Sequence, residues 1–415
     1  MIKKILFFCL FLGFAFAFFG SPVFRTQSIA NRIMTLMVNS SEGWDTSPVI
    51  ELGSGNTVEI SFDLLGAAPE YFTYKITHCN ADWTPSNLVV SEYLDGLQNN
   101  YIEDYENSFN TKMDYVNYKL SVPNDKVRLK ISGNYLLQVM DDSDLPVLNA
   151  CFSVVEMQTK IGIQVTPVTD KGVNTHYQAV NFDIAYGNEI KSPIQDLKVY
   201  VRQNWRFDNE AALVKPLNIQ NGKATYEHNP SLIFDAGNEY RAFEMTSALY
   251  YGLGIEAIEY HAPYYHAVLK PDAVRSNHFY SYNQDINGRV YIKNKDAEYS
   301  DTEADYEFVH FYVPCDNPFN EEVYILSKAF QNILDESSQM EYSERDKGYV
   351  KTAVLKEGYY NYLYVTKKSN ADRGNTNLIE GNYYETENEY CVMVYFRPTG
   401  SRYDRLIGIK TIQYK

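Results

Sequence analysis

Several groupings of residues in this sequence carry side chains capable of chemistry. In "THCNADW" (77–83), His78 adjoins Cys79 and Asp82 follows three residues later. A Cys–His nucleophile needs the imidazole within hydrogen-bond reach of the sulfur, and neighbouring residues of a strand point to opposite faces. The adjacency therefore weighs against a dyad. The stretch reads better as the end of a buried strand, a turn at "NAD", and Trp83 packed over the edge. His261 and His266 sit in "EYHAPYYHAVLK" with Glu256 and Glu259 upstream. Five apart in an extended, proline-interrupted segment, they are expected on opposite sides, a poor geometry for a shared ion. The acidic runs at 294–307 and 334–348 lack the Asp-x-Asp-x-Asp-Gly spacing that wraps Ca²⁺. No nucleophile elbow, phosphate loop or zinc signature occurs.

The remaining grouping is "EGNYYETENEYCVMVYFRP" (380–398). Period-two alternation sets Tyr384, Thr386, Asn388, Tyr390, Val392, Val394 and Phe396 on one face. The other face carries Tyr383, Glu385, Glu387, Glu389, Cys391, Met393, Tyr395 and Arg397. A row of like charges without an acid–base partner is a weak basis for catalysis. The apolar face is expected to build a sandwich, and the three glutamates to lie on a solvated face or a partner surface.

These residues need a frame, and composition bounds it. The chain has 415 residues, 45% hydrophobic and 22% charged, as in ordinary globular proteins, with 37 tyrosines and a formal charge of −16. No Lys/Arg stripe exists to replace counterions on phosphate, which argues against nucleic acid. "MIKK" followed by "ILFFCLFLGFAFAFF" and Ala15-Phe16-Ala17 has the layout of a signal peptide (1–17) cleaved before Phe18. The apolar run is shorter than the ~20 residues a membrane helix needs, so the mature chain is expected not to span a membrane. Losing Lys3 and Lys4 takes the charge from −16 to −18. Cys9 lies in the apolar run behind two phenylalanines, which does not suit lipid attachment. Cys79, Cys151, Cys315 and Cys391 have no metal-ligand spacing, and the three in strand-like runs read as small buried hydrophobes.

Short alternating runs separated by turn residues fill the rest, with no long amphipathic helix. "NTVEISFDLL", "EYFTYKITHC", "KVRLKIS", "NYLLQVM" and "NACFSVVE" outline a first unit (24–157), with 80–115 as a structured excursion at one end. A second unit (158–265) begins at "KIGIQVTPV", and "YHAPYYHAVLKPDAVRS" (260–276) reads as an extended connection. A third unit (270–415) runs from "GRVYIKN" to "LIGIKTIQYK". In "KAFQNILDESS" (328–338) Phe330, Ile333 and Leu334 fall at helical spacing, but the stretch is short and uncapped. "DINGR" (285–289) is a turn in which Asn287-Gly288 supplies positive φ. The fold class is all-β: tandem antiparallel sandwiches of immunoglobulin or fibronectin type following a signal peptide. Most tyrosines are then structural, their rings packed and their hydroxyls partnered.

Five stretches together resemble a known family. They are "YKITHCNADWTPSNLVVSEYLDG", "DYENSFNTKMDYVNYKLSVPND", "SGNYLLQV", "LKEGYYNYLYV" and "EGNYYETENEYCVMVYFRPTGSRYDRLIG". Their order and length are similar to the type IX secretion system plug proteins of Bacteroidota. The resemblance runs from about residue 30 to the C-terminus and is most generic in the middle unit. It implies a periplasmic, non-enzymatic protein that binds the outer-membrane translocon barrel and closes its periplasmic mouth when no cargo is present. Neither cofactor nor small-molecule substrate is implied. Trp83, Tyr383, Glu385, Glu387 and Glu389 are the candidate partner surface. Two rivals stay open. A secreted or surface glycan binder would show an exposed aromatic platform, for which Trp44, Trp83 and Trp205 are the available tryptophans. An exported hydrolase would bring two carboxylates, or a nucleophile and a base, together in a pocket.

Overall fold

The computed structural model describes residues 23–220 and 222–415. The expected signal peptide, with Ala15, Ala17 and Phe18, lies outside the described residues.

Alternation does most of the work in the first unit. In Val58–Leu65, Val58, Ile60, Phe62 and Leu64 point inward and are at most 1% exposed, while Glu59 faces water. That strand pairs with Ile33–Ser40 and Tyr115–Val122, and Asp104–Asn107 completes the sheet. The facing sheet runs Gln27–Ser28, Pro146–Val155, Gly133–Met140, Thr73–Cys79 and Asn100–Tyr101, with Val49–Glu51 added parallel to Pro146–Val155. Between the sheets Phe62 stacks on Tyr118 at 5.1 Å between ring centres, and Phe72 meets both edge-on. Each such ring contributes about 1.5–3 kcal/mol by leaving water. The excursion at 80–115 supplies edge strands and the short helix Val90–Tyr93.

The middle unit is closed by strands from the far end of the chain. One of its sheets contains Lys160–Thr166, Tyr177–Ala185, Lys223–Tyr226, Asn218–Gln220 and Ile233–Asp235. The other joins Leu197–Gln203 to the C-terminal hairpin Asn388–Phe396 and Arg405–Tyr414. The expected boundaries, 158–265 and 270–415, therefore do not follow the strand pairing. The reason is burial: Val199 and Val201 share a core with Val180, Phe182, Tyr390, Val392, Val394 and Ile407, so Leu197–Gln203 needs that hairpin beside it. Asn388–Phe396 is accordingly buried on both faces, and its apolar residues build the middle sandwich instead of the third.

What remains of the third unit is a curled sheet in the order Arg241–Met245, Gly358–Lys367, Glu322–Leu326, Gln339–Ser343, Gly348–Lys356, Tyr306–Pro314, Tyr264–Leu269, Ile255–His261. Val290–Ile292 also pairs with Gly358–Lys367. Phe243, Phe311, Tyr360 and Tyr362 fill the curl. Residues 260–276, expected as a connection, instead carry half of the hairpin Ile255–His261/Tyr264–Leu269. The helical spacing at 328–338 yields only the 3-10 turn Lys328–Phe330, which ends as Gln331 turns left-handed at φ 54°. Asn287 and Gly288 do take positive φ, 52° and 79°.

The tyrosines are the common material of these cores. Tyr118, Tyr135, Tyr306, Tyr364, Tyr390 and Tyr395 are all fully buried, and each hydroxyl has a partner. Cys79, Cys151 and Cys391 are buried free thiols, and burial pushes those of Cys79 and Cys391 up to about 12.

Two buried carboxylates fasten the first unit to the others. Asp63 accepts from Lys356 Nζ at 2.6 Å and from Tyr306 Oη at 2.6 Å. Asp404 accepts from Ala81 N at 3.0 Å and Lys198 Nζ at 2.9 Å, with Arg397 Nε 3.0 Å away. Glu307 contrasts with them. It is fully buried, neither carboxyl oxygen has a hydrogen-bond partner, and burial beside Glu357 and Asp305 raises its pKa to about 8. Because the folded value is raised, its contribution to stability is complete below the unfolded value near 4.5 and is lost as pH rises through about 8. Glu307→Gln is expected to flatten this fall and to raise the urea midpoint at about pH 8, the gain in unfolding free energy being a few kcal/mol at most. A variant with the parent's pH profile of urea midpoints would contradict this account.

Candidate functional site

The segment with the acids and tyrosines is anchored at its start. Glu380 is fully buried between Arg241 Nε at 3.0 Å and Arg275 NH2 at 2.6 Å, and also accepts from Tyr364 N at 2.8 Å. These cations hold its carboxyl below its ordinary value despite burial. Gly381 then turns the chain at φ 80°, a conformation a side chain would strain, with Tyr383 Cε2 2.9 Å from where a Cβ would sit. Tyr383 donates to His278 O at 2.6 Å and Arg275 O at 3.0 Å, tying the segment to the loop after Leu269.

Tyr383, Glu385 and Glu387 are half-buried and reach the surface. Phe279 and Tyr282, on the loop that Tyr383 grips, are exposed. Beneath them Glu239 is 1% exposed; it accepts from Tyr280 Oη and from Glu387 N at 3.1 Å. Burial first, then Asp285 and Glu387, push Glu239 up to about 7. The arrangement is a rim of carboxylates and phenols, and Arg275, whose carbonyl Tyr383 bonds, spends its guanidinium on Glu380 and on Glu239 O. Such a rim suits a basic, hydrogen-bonding surface, since charges of this kind set orientation and encounter rate.

Two residues expected on that surface are elsewhere. Glu389 is 6% exposed and receives Arg289 NH2 at 3.0 and 3.1 Å, Gln413 Nε2 at 2.6 Å and Trp205 Nε1. The middle sandwich thus meets the strand Val290–Ile292 of the third unit through this carboxylate. Asn388–Phe396 is a central strand with both faces covered, so alternation could not leave Glu389 in water. Trp83 is 3% exposed, in a cluster with Cys79, Leu136 and Cys151. His78, on the opposite face from Cys79, bonds to Ser86 Oγ at 3.0 Å and Ser132 O at 3.2 Å. Burial takes its pKa down to about 4. No nucleophile–base pair forms there.

His261 and His266 are not on opposite sides. The hairpin pairs Glu259 with His266, bringing the two imidazoles to 4.6 Å between ring centres. His266 Nδ1 lies 2.8 Å from His310 Nε2 on the neighbouring strand. Only the pairing of strands reveals this row. Among the described residues, no three His, Cys, Asp or Glu side chains take up metal-holding geometry, and no helix is long and apolar enough to cross a membrane.

Comparison with known proteins bears on this architecture. The family described as "Type 9 secretion system plug protein 1st domain" matches residues 33–156, which begin with the strand Ile33–Ser40 and end one residue past Pro146–Val155. A crystal structure of a hypothetical protein from Parabacteroides merdae is 42% identical, with a TM-score of 0.93 over 95% of this chain and 100% of that one. The chain belongs to the type IX secretion system plug family. No curated protein matches the sequence. The likeness to the Parabacteroides protein extends through the middle and third units, so the closure of the middle sandwich by the C-terminal hairpin lies within the shared fold.

In this plug-family chain Glu389 and Glu385 differ in consequence although they are four residues apart. Arg289→Ala leaves a buried carboxylate without its cation and is expected to cost about 2–4 kcal/mol, whereas Glu385→Ala should stay within about 0.5 kcal/mol. Urea midpoints measure both, and equal effects would refute the assignment of Glu389 to the interior.

Proposed function

We propose that this protein is a non-enzymatic plug of a type IX secretion system: exported to the periplasm, it binds the outer-membrane translocon barrel and closes its periplasmic mouth when no cargo is present. Family membership through the first sandwich is the observation that carries this reading. The physical character of the chain supports it. A plug must keep its shape while it blocks a water-filled lumen, and buried carboxylates join the three units through specific partners. It must also leave again, which favours a wet, hydrogen-bonding interface over a dry apolar one. The rim of Tyr383, Glu385 and Glu387, with Phe279 and Tyr282 beside it, has that character and is the face we assign to the barrel. A platform of coplanar exposed tryptophans, as a surface glycan binder would need, is not part of this reading.

The test uses the mature chain tagged in its own organism, crosslinked gently and recovered from solubilised outer membrane. Mass spectrometry should identify the giant barrel protein in stoichiometric amount, with the tag sheltered from external protease. Glu385→Lys combined with Glu387→Lys should lower that recovery roughly tenfold while leaving the urea midpoint unchanged. Recovery of the protein alone, or bound to polysaccharide at the cell surface, overturns the proposal.

A further inference from the structure

All three tryptophans of the chain, separate in sequence, line one cavity where the three units meet. Its volume is 330 Å³, within the range of small-molecule sites. The wall is strained as well as aromatic. Trp83, Asn204, Trp205, Asn287, Gln331 and Asn332 all line it and all have left-handed φ between 49° and 64°. For bulky residues such as tryptophan this conformation is a genuine outlier, and backbone strain of this kind collects where ligands are held.

The wall is also short of partners. Trp83 Nε1, Asn287 Oδ1, Gln331 Oε1 and Asn332 Oδ1 are buried without a hydrogen bond, so one unpaired donor stands among unpaired acceptors. A buried donor or acceptor left unpaired keeps its full desolvation cost. Three cations in the wall share the deficiency, Lys328, Arg25 and Lys367, the last with its Nζ on Leu334 O at 3.0 Å and over the Tyr324 ring. Among the described residues no carboxylate lies within ion-pair distance of any of the three; Arg25 bonds only to Phe24 O and lies 4.3 Å over the Phe207 ring. The other arginines of the wall are committed, Arg202 to Glu210 and Arg289 to Glu389. Burial and the nearby Arg289 lower Lys328 to about 8, a strain that a bound anion would relieve.

We infer that this junction cavity binds a small hydroxylated anion with a ring face, a sugar acid or sugar phosphate, seated on Trp44 with its charge toward Lys328 and Arg25. Each part of the ligand answers a feature of the wall. The unpaired cations call for an anion. Trp44, 44% exposed and tilted against Tyr291 at 4.8 Å between ring centres, lines the cavity and offers it an aromatic ring. The unpaired indole donor of Trp83 and the unpaired amide oxygens of the wall call for hydroxyl groups, which donate and accept. A fatty acid lacks those hydroxyls, and inorganic phosphate lacks the ring. The site is independent of the plug reading, since neither Glu385 nor Glu387 lines it.

Because all three tryptophans line the cavity, tryptophan fluorescence of the full mature chain reports on it. Titration with glucuronate, galacturonate and glucose 6-phosphate should give a saturable change, at least roughly tenfold tighter than glucose or inorganic phosphate. Response to the uronates alone assigns a carboxylate, and response to the phosphate alone assigns a phosphoryl group. Lys328→Met should weaken binding roughly tenfold without lowering the urea midpoint, and Arg25→Gln provides a second variant if the first misfolds. Absence of any change up to about 10 mM of the three anions, equal binding of glucose or phosphate, or undiminished binding by both variants overturns the inference.

Discussion

A carboxylate taken out of water must be met by cations or donors, and in this protein the partners come from a different unit. Asp63 of the first sandwich is met by Lys356 and Tyr306 of the third, Asp404 of the C-terminal hairpin by Ala81 of the first, and Glu389 of that hairpin by Arg289 of the third. Replacing such a pair by apolar residues can be neutral, whereas removing one partner is costly. Their effect is therefore on specificity. Each pair accepts one relative placement of two units and penalises others, so three sandwiches that could have hung on linkers are fixed around a common junction.

The path of the chain follows from the same requirement. Leu197–Gln203 turns Leu197, Val199 and Val201 to the core; one edge is bridged locally to Ala211, and the strand that pairs along its whole length is Asn388–Phe396, nearly two hundred residues later. The third unit is thus inserted within the middle one. Its entry, at Glu239 and Arg241, and its exit, at Glu380 and Glu387, are bonded to each other through Arg241–Glu380 and through the Glu239 carboxylate. The acidic rim sits at this crossing, where the chain leaves one sandwich and re-enters another. A junction of three units also leaves a space that no single unit fills, and there the three tryptophans and the unpaired cations collect.

Tyrosine explains how so polar a sequence builds several cores. The phenol fills volume as phenylalanine does, while its hydroxyl satisfies a backbone carbonyl or a buried carboxylate, as Tyr135 does with Ile131 and Tyr306 with Asp63. The Ile131 carbonyl and the Asp63 carboxylate are in this way partnered by protein groups. The same residue at the rim gives contact area with a hydrogen-bonding end, which suits a reversible partner. Core and interface therefore draw on one chemistry, and burial alone tells them apart.

The sequence by itself determined the fold class and the local strands, because period-two alternation and Gly/Asn punctuation are local properties: Val58–Leu65 and the Asn287-Gly288 turn are legible from their own residues. It also determined that His78 and Cys79 do not form a dyad, since strand neighbours face apart. Tertiary structure alone decided the pairing of distant strands, and with it the fate of single residues. Alternation placed Glu385, Glu387 and Glu389 on one face, but the strand begins only at Asn388: Glu385 and Glu387 lie in the irregular segment before it, at the surface, while Glu389 is buried by the hairpin's docking between Leu197–Gln203 and Arg289. In the same way Trp83 became interior against Leu136 and Cys151, and His261 met His266 across the hairpin Ile255–His261/Tyr264–Leu269. Side-chain period is encoded over a few residues, whereas the partner that covers a face is chosen by the burial and charge of the whole molecule.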